Sequence, residues 1–364
     1  MLLNQLVIWI LVIAAAVGAA DKIRGNKKGY GEAFDEGFRT MGPLAFVMVG
    51  MISVAPLLAE MLRPVLIPVF TFIGADPGMF PGMLLAVDMG GYPLAMELAE
   101  TREAALLSGI ILATMLGPVF VFTVPVALGL IHKEDHTVFA EGIMLGLIPV
   151  PAGAFLAGLA AGMPAMFVLQ QLVPAALLVI AMVAGLYWAG PSVVRLFIAG
   201  GRMIMVFITA VILILIVQEL AGIVILPGLT PFHESMEIVG LIVLALAGAF
   251  PLVHFLKRTL HSRLAARKGR ISADGWIGFL TQLAHSIPVY KKLHTLDDEA
   301  KLMNVAFSVS GAFLLGGHLG FTAALEPEMT VAMLIGKASA GVMAILLTAA
   351  VIRYRRRNTG LPVS

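Results

Sequence analysis

Long apolar runs alternate with short polar stretches along this chain. The runs lie near 2–20, 41–62, 64–75, 78–98, 104–130, 138–162, 164–190, 199–225, 237–256, 275–293, 301–324 and 330–352. A helix that crosses a bilayer needs about 20 predominantly apolar residues, and most of these runs qualify. The run 64–75 is too short to cross unaided. The run 78–98 is interrupted at Gly90-Gly91, and 275–293 is interrupted by Pro288 and followed by Lys291-Lys292. The pattern predicts an all-α polytopic membrane protein with about nine to eleven membrane segments: nine crossings plus two re-entrant ones. The first run ends like a signal peptide, in Val17-Gly-Ala-Ala20, but Met-Leu-Leu-Asn-Gln before it supplies no basic n-region. It is read as a retained transmembrane helix.

The polar stretches carry an orientation. An excess of Lys and Arg marks cytoplasmic loops. One basic stretch follows the first helix (Lys22, Arg24, Lys27, Lys28, Arg39), and another follows 237–256 (Lys257, Arg258, Arg263, Arg267, Lys268, Arg270). Arg195 and Arg202 flank a third, and Arg353, Arg355, Arg356 and Arg357 close the chain. Leu226–Glu237 and Leu325–Thr330 have no Lys or Arg, but hold Glu234, Glu237, Glu326 and Glu328. The expected arrangement is a multi-pass protein of the cell inner membrane, with the N-terminus outside and the C-terminus cytoplasmic.

Composition removes the alternatives to a membrane protein. The 364 residues are 60% hydrophobic and 13% charged, against about 25% charged in soluble domains. The longest polar segments, Asp21–Arg39 and Lys257–Trp276, are too short to build a soluble domain. Cysteine is absent, which excludes disulfides, thiolate metal sites and cysteine nucleophiles. GxSxG, HExxH, Walker A and GxGxxG patterns are also missing. His132 and His136 flank a polar loop with no apolar shell to build a metal site. The expectation is a non-enzyme without cofactor or metal. Its partners are a small solute and the lipid bilayer, with no nucleic acid, and a homo-oligomer is left open.

A shift of 195 residues aligns Pro56-Leu57 with Pro251-Leu252, Pro93 with Pro288, Leu98 with Leu293, Ala105 and Leu107 with Ala300 and Leu302, and Gly146 with Gly341. The run 41–62 leaves a basic loop, whereas its counterpart 236–257 leaves an acidic one. The two halves are therefore expected to be inverted repeats with broken helices near the midplane, an architecture of secondary transporters. The division is 1–162 as first repeat, 163–197 as connecting transmembrane helix, and 198–364 as second repeat with a basic tail.

The candidate chemistry sits in the interruptions. Asp88 is a carboxylate inside an apolar run, and Gly90, Gly91 and Pro93 break the helix after it. An ionisable residue at membrane depth is costly and points to function, and a broken helix there leaves backbone groups for a ligand. The alternative is a helix-end carboxylate that caps an amide or pairs with a base. The repeat overlays this stretch on Leu283–Pro288, which holds His285 and Ser286, with Gln282 about one turn before His285. His318 sits near the end of the run Phe307–Phe321, beside Gly316-Gly317, and Ser308, Ser310 and Asn304 lie in or near that run. A histidine or asparagine satisfied within the fold is the plain alternative for these. Lys337 lies in an apolar run and is expected either to snorkel or to neutralise a carboxylate. Glu60 and Arg63 are expected to form an interfacial pair.

The stretch Gly82–Leu98, together with Met48–Met51 through Ala55-Pro56, Leu116–Gly129 and Gly317–Phe321, resembles the EutH family, the ethanolamine transporters of ethanolamine-utilisation systems. The resemblance runs over nearly the whole chain. It departs at Gly317, where the family tends to have Asp, and at His285-Ser286, where it tends to have Asn before Ile-Pro. The resemblance implies a transporter or facilitator that moves a small protonated amine, most simply ethanolamine, into the cell. Asp88 would then bind the ammonium. His285, Ser286, Gln282 or His318 would meet the hydroxyl, and carbonyls freed at Gly90-Gly91 would complete the cage. The rival readings are a proton- or sodium-coupled carrier of another small organic solute and, more remotely, a membrane-embedded enzyme.

Overall fold

The computed structural model describes residues 2–265 and 271–359. Arg267, Lys268 and Arg270 of the basic loop lie outside the described residues. Helix α1 (Leu2–Ile23) and the short α2 (Tyr30–Arg39) lead into α3 (Met41–Ile73). The runs 41–62 and 64–75 are one helix of 33 residues, with Pro56, Pro64 and Pro68 inside it. Packed neighbours allow a buried helix to carry prolines in this way. It ends at Gly74 in the left-handed conformation, φ 77°, which glycine adopts without a Cβ penalty.

Two short helices follow, α4 (Met79–Leu84) and α5 (Tyr92–Leu98), joined by a π-type turn at Val87–Gly91. Their bases are tied by Asp76. Its carboxylate accepts from the backbone N–H of Gly78 (2.7 Å), of Glu100 (3.0 Å) and of Thr101 (3.2 Å). The segment thus enters and leaves at the same end of the bundle.

The run near 104–130 is α6 (Arg102–Leu106), a π turn at Leu107–Ile111, a 3₁₀ turn at Leu112–Thr114, a π turn at Val119–Thr123 and α7 (Val124–Leu128). It holds the centre of the core: Leu107, Ile110, Ile111, Leu112, Met115 and Leu116 are fully buried. Next come α8 (His136–Leu147), α9 (Val150–Ala160) and α10 (Ala165–Ala221). Helix α10 holds 57 residues, and at Ala189 its backbone leaves the helical region (φ −136°, ψ 34°), two residues before Pro191. A Cβ on Gly185 would lie 3.1 Å from Val193 Cγ2. In a straight helix these residues stand about 12 Å apart along the axis, so the chain doubles back at this elbow.

The second half holds α11 (Phe232–Ala265), α12 (Ala273–Gln282), α13 (Ile287–Lys291), α14 (Asp298–Ser310), α15 (Gly317–Leu325) and α16 (Thr330–Thr359). Seven helices among the described residues are long and apolar enough to cross a membrane: 2–23, 30–73, 102–128, 133–160, 165–221, 232–261 and 327–358. The expected nine to eleven segments include several that the structure joins or breaks. Runs 164–190 and 199–225 are the two arms of α10, and 301–324 is split into α14 and α15.

Charged pairs gather at the two ends of the bundle. At one end Lys301 meets Asp135 (2.8 Å), Arg355 meets Glu141 (2.6 Å) and Arg356 meets Glu299. At the other, Arg102 bridges Glu326 (2.7 Å) and Glu328 (2.8 Å). Arg63 donates to the Glu97 carbonyl at 2.6 Å. The expected Glu60–Arg63 pair does not form among the described residues, because this carbonyl takes the guanidinium.

Candidate substrate site

The turn that carries Asp88 is shaped by glycine and by extended backbone. Leu85 and Ala86 are extended (ψ 139° and 156°), and Gly90 has φ 99°. A Cβ on Gly90 would meet Met51 Cε at 2.2 Å, and one on Gly117 would meet the Leu85 carbonyl oxygen at 1.9 Å. Only glycine at both positions allows this turn. Pro93 then restarts the chain as α5, in the first turn where a proline lacks no needed N–H.

The second interruption, between α12 and α13, is held in a similar way. The Phe313 N–H donates to the Gln282 carbonyl and the Leu315 N–H to the Leu283 carbonyl, both at 2.8 Å. A Cβ on Gly316 would lie 2.2 Å from the Ala284 carbonyl oxygen. Phe313 takes φ 60°, rare for a residue with a side chain. The Ile287 N–H donates to His285 Nδ1 at 3.2 Å. The neutral ring then carries its proton on Nε2.

Both interruptions line one cavity of about 650 Å³, with Asp88 and Met89 on one side and Ala284 and His285 on another. Phe122, Phe313, Gly317 and His318 complete the inner wall, and Thr40 and Arg202 also line it. Among the described residues the Asp88 carboxylate, which lines this cavity, forms no ion pair and no hydrogen bond to another residue. The aromatic rings interlock: His285 and Phe313 at 4.9 Å, Phe122 and Phe313 at 5.4 Å, and Phe313 and His318 at 5.2 Å between centroids. An unpaired carboxylate, aromatic rings and a neutral imidazole suit a small cation that also carries a hydroxyl. A separate hollow lined by Met51, Leu58, Phe120 and Met203 is almost wholly apolar and offers an ammonium nothing.

The predicted residues divide by place. Asp88, His285 and His318 share the cavity. Gly90 and Gly91 are buried beside it and shape the turn. Gln282 points into the protein, where its Nε2 donates to Asn304 Oδ1 at 2.9 Å and to the Asn304 carbonyl at 3.1 Å. Ser286 is buried off the cavity wall.

The family described as "EutH: Ethanolamine utilisation protein, EutH" matches residues 3–352. The chain belongs to the EutH family. It is 42% identical over 348 residues to the "Probable ethanolamine permease EutH" of Listeria monocytogenes serotype 1/2a (strain 10403S), covering 95% of this chain and 93% of that one. It is 35% identical over 386 residues to the "Probable ethanolamine permease EutH" of Escherichia coli (strain K12), covering 94% of each. It is likewise 42% identical over 346 residues, covering 94% of each, to the "Uncharacterized protein YxeR" of Bacillus subtilis (strain 168). No solved structure matches the chain. This EutH chain is thus a multi-pass membrane protein of a permease family, not an enzyme.

Sequence reasoning missed several residues that line this cavity or tie the turns and ends around it. Phe122 and Phe313 are apolar residues in apolar runs, and nothing in their sequence setting marks them. Asp76 could have been found as a second carboxylate next to the helix-breaking Gly74 and Pro77. Also missed was the cluster that closes the acidic end. There the Tyr92 hydroxyl donates to Glu326 Oε1 and Arg102 donates to Glu326 Oε2, each at 2.7 Å. Burial raises the Glu326 carboxyl above the usual glutamate range, and Arg102 offsets part of that effect.

Proposed function

We propose that this chain is an inverted-repeat permease that brings a small protonated amine, ethanolamine first, into the cell, with Asp88 binding the ammonium. The observation that carries this reading is the Asp88 carboxylate, which lines the cavity without a cationic partner. A charge kept there unpaired costs several kcal/mol unless a ligand offsets it. The names of the relatives supply the substrate class. The ammonium meets Asp88, the hydroxyl meets His285 or His318, and Phe122 and Phe313 offer ring faces to the cation.

The order of elements supports the repeat. In each half a long helix (α3, α11) is followed by a short interrupted pair (α4–α5, α12–α13), then by a broken helix (α6–α7, α14–α15). Helices α8 and α9 then correspond to α16, and α1 to the second arm of α10. Counting the two arms of α10 separately and 298–325 as one broken crossing gives nine crossings. In this reading the end with the basic loops is cytoplasmic. The cavity, bordered by Thr40 and Arg202, opens there, while Tyr92, Arg102, Glu326 and Glu328 close the outer end.

Purified protein in liposomes, assayed with labelled ethanolamine, tests the reading. Losing a buried charge-assisted partner costs about 2–5 kcal/mol. Asp88→Asn is therefore expected to lower uptake by about 100-fold. Uptake by this variant equal to wild type sinks the role of Asp88.

A further inference from the structure

Helices α1 and α11 cross in close contact. A Cβ on Gly248 would lie 2.4 Å from the Leu11 carbonyl oxygen, and one on Gly18 would lie 3.0 Å from Pro251 Cγ. Beside this crossing runs a groove of about 590 Å³. Ile10, Ile13, Ala14, Val17 and Ala20 form its α1 wall. They follow one another at spacings of three and four, which places them on one helix face. Pro251, Leu252 and Phe255 form the α11 wall. Ile10, Ile13, Val17 and Phe255 are exposed, so the groove opens at the surface of the bundle, where a membrane protein meets lipid.

The groove changes character at one end, where Asp21, Arg24, Lys27, Lys28 and Tyr30 line it. The loop that carries the three bases is fixed from both sides. The Asp21 carboxylate accepts from the backbone N–H of Lys28 (3.1 Å), of Tyr30 (2.9 Å) and of Gly31 (3.2 Å). The Lys28 carbonyl accepts from His254 Nε2 (3.0 Å) and Arg258 Nη1 (3.2 Å) of α11. Gly29 takes φ 81° there, and a Cβ on it would lie 2.9 Å from the His254 ring. Among the described residues neither Arg24 nor Lys27 forms an ion pair. The α2 carboxylates of Asp35 and Glu36 meet Lys22 and Arg39 instead. Three bases against one acid leave this end of the groove positive.

We infer that this groove holds one anionic phospholipid, with its phosphate on Arg24 and Lys27 and an acyl chain along the α1–α11 walls. Its length fits that occupant. From Ile10 to Ala20 the wall rises about 15 Å, half of a hydrocarbon core about 30 Å thick, which is the depth of one leaflet. The basic end then falls at the head-group layer of that leaflet. Membrane topology alone accounts for a basic loop. It does not account for a loop pinned over the end of an apolar slot, with two bases left unpaired. Arg24 offers a fork of donors that matches phosphate oxygens, and Lys27 a compact charge. A zwitterionic head group brings a cation of its own, which these bases repel. Helix α11 separates the groove from the substrate cavity, which it lines through Leu246 and Phe250. The lipid site is therefore distinct from the amine site and does not depend on it.

Native mass spectrometry of the full-length protein in detergent, titrated with dioleoyl phosphatidylglycerol or dioleoyl phosphatidylcholine, counts the lipids bound. Wild type is expected to hold a single phosphatidylglycerol about tenfold or more tightly than phosphatidylcholine. A basic residue at the membrane surface strengthens binding of anionic lipid by about fivefold. Arg24→Gln/Lys27→Gln should therefore weaken phosphatidylglycerol by about 30-fold and leave phosphatidylcholine unchanged. Ala14→Phe keeps both charges but fills the apolar slot. It should also lose the tight phosphatidylglycerol, and it serves if the glutamine variant fails to fold. Arg353→Gln/Arg357→Gln removes two charges outside the groove and should bind as wild type does. Equal affinity of wild type for the two lipids overturns the inference, as does undiminished binding by either groove variant. A loss in the Arg353/Arg357 variant as large as in the Arg24/Lys27 variant assigns the binding to diffuse surface charge and overturns it as well. Displacement of phosphatidylglycerol by an equal concentration of inorganic phosphate makes this a site for a free anion and overturns the lipid assignment. Each of these results leaves the Asp88 reading standing.

Discussion

At the scale of the residue, the site combines one group that sequence could flag with several that it could not. Asp88 stood out because a carboxylate in an apolar run has a cost that demands an explanation. Phe313 gave no such signal. Its φ of 60° and its contacts with His285, Phe122 and His318 come from the way the chain turns between α14 and α15. A ring face near a desolvated cation contributes about 0.5–2 kcal/mol. Phe313→Ala should therefore weaken ethanolamine binding by about 3- to 30-fold, measured by titration, while thermal unfolding stays near wild type. Asp76 has a different task. Its carboxylate accepts from three backbone amides across the base of the α4–α5 pair, and hydrogen bonds to a charged group contribute about 1.5–3 kcal/mol each. Asp76→Ala is expected to lower the melting temperature and the yield of folded protein, and Asp76→Asn to recover part of both. Lys337 was visible as a buried charge, but its partner was not. Among the described residues it neither snorkels nor meets a carboxylate, and its Nζ donates at 2.6 Å to the backbone carbonyl of Thr114, 223 residues away in sequence.

At the scale of the element, the interruptions were legible and their packing was not. Gly90-Gly91-Tyr-Pro and His285-Ser-Ile-Pro both announce a break, because glycine and proline act locally. The runs 41–62 and 64–75, separate in sequence, are one helix that continues through Pro56, Pro64 and Pro68 because packed neighbours hold it. Gln282 shares a helix face with His285 only while the helix lasts. The chain turns after it, and the amide joins Asn304 instead. What secures each turn is a glycine from the adjoining broken helix, Gly117 over Leu85 and Gly316 over Ala284. Adding one methyl at either site pushes against backbone, so Gly117→Ala and Gly316→Ala should each reduce uptake at least tenfold with the protein still inserted. The cluster of Arg102, Glu326 and Glu328 has its own test, made simple by the absence of native cysteine. In Arg102→Cys/Glu328→Cys, a cleavable bis-maleimide should block uptake and its cleavage should restore it. Full transport while cross-linked would show that this end does not open.

At the scale of the whole molecule, hydropathy gave the class of protein directly, because 13% charged residues cannot coat a soluble domain. The number of membrane segments was harder to read. A 57-residue apolar helix looks like two runs in sequence, and in space it is two arms joined at Ala189. That elbow bears on the surrounding lipid. Tyr187 and Trp188 next to it are 75% and 80% exposed, and such aromatic side chains prefer the headgroup layer. They would hold the bottom of the hairpin at one depth, while its second arm lines the cavity through Arg202 and Met205. A bilayer thinner or thicker than the arms would then strain the elbow, at a fraction of a kcal/mol for each ångström of mismatch. Uptake in vesicles of short-, medium- and long-chain phosphatidylcholine should pass through a maximum at the medium length, and Trp188→Ala should flatten it. Acyl-chain length would thus act as a tuning parameter for this carrier, through a residue that never meets the substrate.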